Sequence, residues 1–249
     1  VPDNYRNYNN GKDLPETIPG WIVHDEIEGK VGLVSDPFGF EDSPDCEYIS
    51  SGINMKAMNS VALGRQGNWF LWGFHGPPAT LTDEARRVFL NTVVYMRQFD
   101  GQAAYGTAEK QGRDWVLSYC DWLAEGDARG YYAGRFDPAL LAETDSSGTL
   151  LAEIFAENME YVRLDDDRRW TIDEDARELG ISNRSPELIE TCIDLLDGDG
   201  AESARARRLL DRYTEEDVSG ASEWQAWYRE NRQRLYFTDT GGYLFKVRP

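Results

Sequence analysis

The stretch that decides the fold is NSVALGRQGNWFLWGFHGPPATLTDEARRVFLNTVVYMRQF, residues 59–99. Its first half reads as strands. Residues 59–63 and 68–74 are rich in apolar side chains, and Gly64-Arg65-Gln66-Gly67 between them is a hairpin signal. Trp69-Phe70-Leu71-Trp72 is apolar at four consecutive positions, which predicts a strand buried on both faces. After Thr80 the period changes. Thr82 followed by Asp83 and Glu84 predicts a helix start, with a hydroxyl to cap a free N–H and two carboxylates near the positive end of the helix dipole. Ala85, Val88, Phe89, Thr92, Val93 and Met96 then recur at helical spacing and give one apolar face through about Phe99. Asp100-Gly101 ends it.

Upstream, residues 20–27 alternate like a strand and 30–34 form a short candidate strand. Residues 35–47, with Asp36-Pro37 and Ser43-Pro44, read as a loop. The first 20 residues, polar and rich in Asn, Tyr, Gly and Pro, read as an extended arm. Downstream of Gly106 the chain reads as modest helices at 112–125, 137–144, 149–161, 173–180, 185–197, 200–213 and 221–234. Segments 188–196 and 201–210 suggest an antiparallel helix pair. Residues 235–247 read as a hairpin turning at Gly241-Gly242. The expected class is α+β, with an arm (1–20), a β-rich part ending in a hairpin and helix (21–105), and a mainly helical part closed by a terminal β-hairpin (106–249).

The charge is lopsided. The 249 residues carry 45 Asp+Glu against 26 Lys+Arg, a formal net charge of -19, and only five of the basic residues are lysine. Excess carboxylate with arginine preferred is the composition expected in concentrated salt, where self-repulsion is screened within a few ångströms. A salt-adapted bacterial source is the expectation. Nucleic acid is excluded as a partner by net repulsion and the lack of a basic stripe. No apolar run reaches the roughly 20 residues of a membrane-spanning helix. The three cysteines, Cys46, Cys120 and Cys192, are odd in number and widely spaced, so they predict buried thiols rather than a disulfide framework or zinc site. The start at Val1 reads as a processed chain or a fragment.

Residues 59–99 resemble the last strand and helix of a class I glutamine-amidotransferase-like domain of the trehalose-utilisation type. The likeness lies in the strand 67–74, the Pro-containing loop, and Phe89-Leu90-Asn91-Thr92-Val93-Val94-Tyr95 on the helix. It implies that the chain holds the closing part of such a domain. It does not imply the chemistry, which needs a cysteine on a strand-to-helix elbow and a His two residues before a Glu after the final strand. Cys46 lies in Pro-Asp-Cys-Glu, and Cys120 and Cys192 lie in expected helices. His24-Asp25-Glu26 has the spacing but precedes the matching strand, and His75 is followed by Gly76-Pro77-Pro78. The tail, with Trp224-Gln225-Ala226-Trp227-Tyr228 and Thr238-Asp239-Thr240-Gly241-Gly242-Tyr243, is similar to the ends of exported bacterial proteins, which makes the periplasm or cell surface the expected location.

Candidate site residues are few. His75 and His24 are the two histidines able to act as a general base near neutral pH. Asp36, Glu41, Asp42, Asp45 and Glu47 concentrate hard oxygen ligands in one loop, a candidate calcium site. Asp194, Asp197 and Asp199 resemble part of an EF-hand loop but lack its later ligands. Asp165-Asp166-Asp167 before Arg168-Arg169 reads as a solvated turn with local ion pairs. No nucleotide-binding, zinc-protease or serine-elbow motif occurs, so no organic cofactor is expected. Trp224, Trp227 and Tyr228 are candidate binding aromatics. The functional expectation is a non-catalytic interaction or accessory subunit that docks on a protein or glycan, or that associates as an oligomer. The open edge of a truncated sheet favours this. The alternative is a hydrolase acting on a carbohydrate or ester near His75, recognisable by a pocket in which that histidine meets a carboxylate.

Overall fold

The computed structural model describes residues 17, 19–25, 34–35, 40, 43–52, 60–105, 112–125 and 129–248. The protein is α+β, with a small antiparallel sheet first, then mostly helices, then a terminal hairpin. The chain divides into two compact units, Val1–Gly106 and Thr107–Pro249.

The first unit is built on a sheet in the order β1 (Cys46–Gly52), β2 (Ser60–Gln66), β3 (Trp69–Trp72), antiparallel throughout. Gln66 pairs with Trp69 across a two-residue loop, Gly67-Asn68. Gly67 has φ 52°, a left-handed conformation that glycine adopts freely, and a Cβ there would lie 2.8 Å from the Ala104 nitrogen. The hairpin therefore turns later than its glycine-flanked signal suggests, because Gly64 and Arg65 are spent in the ladder opposite Leu71 and Phe70.

Several expectations for this unit are corrected. The buried strand is β2, buried at every position but Gln66, whereas Trp69 is exposed and Phe70, Leu71 and Trp72 are half-buried. The reason is position: β2 has a neighbour on each side, while β3 stands at the edge of the described sheet. The expected strand at 20–27 is also corrected over its described residues, which contribute a single bridge between His24 and Leu81. Residues 30–33 lie outside the described residues. Strand β1 begins inside the stretch read as a loop. Its pairing with β2 slips between Tyr48 and Ser51, which spoils a clean alternation.

The helix α1 (Asp83–Met96) starts where its signals place it. Thr82 Oγ1 accepts from the Ala85 N–H at 3.1 Å and donates to the Ile22 carbonyl at 2.8 Å. Ala85 is buried, with Val88, Thr92, Tyr95 and Met96 half-buried on the same face, and a 3-10 turn, Arg97–Phe99, finishes the segment.

The second unit runs from a 3-10 turn (Arg113–Trp115) into α2 (Val116–Glu125), α3 (Arg129–Ala133), α4 (Pro138–Glu143) and α5 (Gly148–Glu157). A small hairpin follows, β4 (Val162–Leu164) and β5 (Trp170–Ile172). Then come α6 (Glu174–Leu179), α7 (Pro186–Leu195), α8 (Ala201–Tyr213), α9 (Ala221–Asn231) and the terminal hairpin of β6 (Leu235–Thr238) and β7 (Leu244–Val247). The expected helix at 149–161 is α-helical only to Glu157; Asn158 leaves helical geometry as its cap, and a 3-10 turn, Met159–Tyr161, leads into β4. The Asp165-Asp166-Asp167 turn joins β4 to β5, with Arg169 paired to Asp165 (2.8 Å) and Asp167 (2.5 Å).

Two apolar clusters form this unit. One joins α2, α5 and the β4–β5 hairpin through Val116, Cys120, Leu151, Phe155, Val162 and Trp170. Gly148 lets α5 begin against α2, since a Cβ there would sit 2.3 Å from the Cys120 carbonyl oxygen. The other joins α7, α8, α9 and the terminal hairpin through Ile189, Cys192, Leu209, Trp224 and Phe245. Cys120 and Cys192 are free thiols inside these clusters, and burial pushes each up to about 12.

A polar seam ties the clusters together. The Arg113 guanidinium donates to both carboxylate oxygens of Asp239, each at 2.7 Å, and to the Met159 carbonyl and Asn183 Oδ1. Asn183 donates to the Tyr213 hydroxyl, which donates to Asp173, and Asp173 accepts from Arg212 at 2.6 Å. Asp239→Ala leaves a buried guanidinium without its carboxylate, a loss of about 3–5 kcal/mol. Urea unfolding followed by tryptophan fluorescence checks this, and a loss below about 1 kcal/mol would mean the pair is dispensable.

Candidate interaction surface

The sequence-derived sites scatter. His75 is exposed just beyond β3 and makes no hydrogen bond among the described residues. His24 is half-buried, with Nδ1 3.0 Å from Thr80 Oγ1. Since that hydroxyl donates to the Pro77 carbonyl at 2.9 Å, it accepts from His24, which places the imidazole proton on Nδ1. Nε2 is buried with no hydrogen-bond partner among the described residues. The ring thus helps hold residues 21–25 across the start of α1, where Thr82 N–H donates to the Val23 carbonyl.

Asp36, Glu41 and Asp42 lie outside the described residues. Asp45 is buried and accepts from Ser43 Oγ at 2.5 Å and from the Tyr105 N–H at 2.9 Å. Glu47 accepts from Arg65 Nε at 3.1 Å and from the Tyr95 hydroxyl. Both carboxylates are taken by the protein's own donors. No group of three or more His, Cys, Asp or Glu side chains gathers for a metal among the described residues. Trp224 is buried in the second cluster, edge-on to Trp227, with Tyr228 packed alongside. Trp224 therefore offers no face to a ligand. Asp194, Asp197 and Asp199 lie at the end of α7 and in the α7–α8 connection, and among the described residues they gather no set of metal ligands.

The feature that the sequence reading missed lies on α1. With 3.6 residues per turn, Phe89 and Val93, and Leu90 and Val94, form two adjacent i,i+4 strips beside the face turned to the sheet. They stay in water: Phe89 is 42% exposed, Leu90 63%, Val93 53% and Val94 69%. Phe89 marks the border, its ring edge-on to Trp72 of β3 at 5.2 Å. Trp72 continues an aromatic chain through Phe74 to Trp21. Trp69 is also exposed, and by strand alternation it stands on the sheet face away from α1. Periodicity puts Phe89 and Val93 on one apolar face with Ala85 and Val88, but it marks an apolar arc without saying where the neighbouring layer ends. The signal that could have found the strip is its width, since Val93-Val94 and Phe89-Leu90 are adjacent apolar pairs.

Positive charge borders the strip. Arg86 pairs with Asp83 at 3.3 Å, whereas Arg87 and Arg97, both exposed, have no carboxylate partner among the described residues. Across the helix, the Tyr95–Glu47–Arg65 contact and the stacking of the Arg65 guanidinium 3.8 Å over Phe99 fasten α1 to the sheet. The strip is thus presented on a fixed helix.

No known protein family, curated protein or solved structure matches the chain.

The clasp behind the strip has a pH signature. The Tyr95 hydroxyl, helped by Arg65, holds the Glu47 carboxyl below its ordinary 4.5 against the opposing effect of burial. Burial and the same hydrogen bond raise Tyr95 above 10. A carboxyl depressed in the folded state stabilises fully above pH 4.5 and loses that contribution as pH falls through its lowered pKa. A phenol raised in the folded state contributes below pH 10 and loses it as pH rises through its raised pKa. The stability difference between wild type and Glu47→Gln is expected to be largest at neutral pH and to vanish in acid. Urea midpoints from pH 2 to pH 7 measure it, and a difference independent of pH would rule out the clasp.

Proposed function

We propose that this chain is a non-catalytic interaction subunit that binds protein through the exposed apolar strip of α1. The observation that carries the reading is the exposure of Leu90, Val93 and Val94 as a contiguous patch on a helix whose opposite face is already anchored. A contiguous apolar patch edged by charge is the ordinary form of a protein-binding surface, whereas isolated exposed apolar residues need no explanation. The binding of a glycan through Trp224 draws no support from its burial, and a hydrolase site draws none from an exposed His75 that has no partner among the described residues. Export and life in concentrated salt belong to the same proposal. The net charge of -19 supports the second, because screening lets an apolar surface act despite repulsion.

A photo-crosslinking residue placed at position 94 in the source organism tests this. The expected result is a discrete crosslinked adduct, with none from the same residue at position 150, an exposed leucine on the second unit. No discrete adduct from position 94 would overturn the reading.

A further inference from the structure

We infer that the occupant of the α1 strip is a second copy of this chain, whose own α1 lies antiparallel across it about a two-fold axis at Leu90. This rests on the interaction reading above and names the partner. Asp83, Leu90 and Arg97 recur every seven residues and so lie on one line along the helix. Arg86-Arg87 and Val93-Val94 fill the intervening positions, giving the three-four spacing of a helix seam. Leu90, Val93 and Val94 in that seam are the exposed residues of the strip.

The charges along the seam are asymmetric from end to end. Asp83 and Glu84 occupy the first turn and Arg97 follows the last. Antiparallel pairing centred on Leu90 brings Asp83 of each copy opposite Arg97 of the other, and a two-fold axis makes both contacts at once. It also brings Leu90 to Leu90, Val93 opposite Arg87, and Val94 opposite Arg86. The arginine stems can lie over the valines while their charged ends stay in water. Parallel pairing would set carboxylate against carboxylate and guanidinium against guanidinium, so the charges select the direction. Arg97, without a carboxylate partner among the described residues of its own chain, gains one in the pair.

Two copies at a net charge of -19 each repel, and salt removes that repulsion. One helix pair is smaller than the roughly 1,600 Å² of a standard stable interface, so the dimer is reversible. It therefore forms in concentrated salt and dissociates on dilution into dilute salt, the reverse of an association held by ion pairs alone.

Sedimentation equilibrium of the full chain in dilute and in molar potassium chloride tests this, with circular dichroism confirming that each variant is folded. The wild type is expected as a 28.4 kDa monomer in dilute salt and to shift with concentration toward twice that mass in molar salt. Leu90→Asp is expected to abolish the shift. Arg97→Asp and Asp83→Arg each replace both attractive contacts with repulsive ones and are expected to weaken self-association, by more as the salt is lowered from molar, since only charges in contact escape full screening. Mixed together, these two variants restore both contacts and are expected to form a mixed dimer of wild-type strength. A chain monomeric in molar salt up to about 1 mM, a dimer indifferent to Leu90→Asp, or a mixture no stronger than its parts would each overturn the inference. The crosslink from position 94 separates the two levels. An adduct with a different protein sinks self-pairing and leaves the interaction reading standing, and no adduct sinks both.

Discussion

The second unit depends on the contact between Arg113 and Asp239, 126 residues apart in sequence. A guanidinium has five donors and no way to shed its charge, so burying one demands that each donor be met. Here the carboxylate takes two in the parallel arrangement that suits both planes, and the Met159 carbonyl and Asn183 take others. Phe237 and Tyr243 each stand 5.6 Å from the guanidinium carbon, closing its faces. Ordering is the consequence. The turn before α2 and the turn after β6 cannot move independently without exposing an unpaired charge in the interior. Tyr243 illustrates the constraint: it holds φ 59°, costly for a side chain with a Cβ, while its hydroxyl accepts from Trp170 of the other cluster at 3.3 Å.

The same seam explains why two clusters behave as one unit. Asn183 passes the network to Tyr213 on α8, and Tyr213 passes it to Asp173, which also caps α6 through the Ala176 N–H at 3.0 Å. Burial and the neighbouring Asp173 carboxylate push the Tyr213 phenol well above its ordinary range, which favours the protonated form that donates to Asp173. A helix cap, a helix–helix contact and a hairpin turn thus share one hydrogen-bonded chain. Apolar packing alone tolerates sliding; a chain of matched donors and acceptors does not.

Much of this fold was legible because local signals were strong. Thr82 with Asp83 and Glu84 fixed the start of α1, and the change of period beyond Gly106 marked the helical region. What escaped were elements whose evidence is not local. The strand β1 carries an irregular register, and the β4–β5 hairpin has three residues in each strand, too few for alternation to stand out. The misplacement of the buried strand has the same origin: Trp69-Phe70-Leu71-Trp72 is more apolar than β2, but burial follows position in the sheet, which composition does not encode. The polar seam was invisible for a related reason. Arg113, Asp173, Asn183 and Asp239 are ordinary polar residues in sequence, and only the fold shows that they meet.

The candidate surface was half legible. Helical spacing on α1 was clear, but Phe89 and Val93 could be read as facing inward until the sheet was seen to cover only the arc of Ala85, Val88, Thr92 and Tyr95. The preference for arginine over lysine likewise carries a second meaning. It reads as adaptation to a salty solvent, yet in the second unit arginines are the residues that fork onto carboxylates: Arg113 on Asp239, Arg208 on Asp175, and Arg212 across Asp173 and Asp175. A lysine offers a point charge and could not meet both oxygens in plane. With 45 acidic side chains to choose from, an arginine finds a partner easily. That Arg87 and Arg97 make no ion pair among the described residues, beside an exposed apolar strip, is therefore a local property of α1, and a partner's carboxylates are what would complete them.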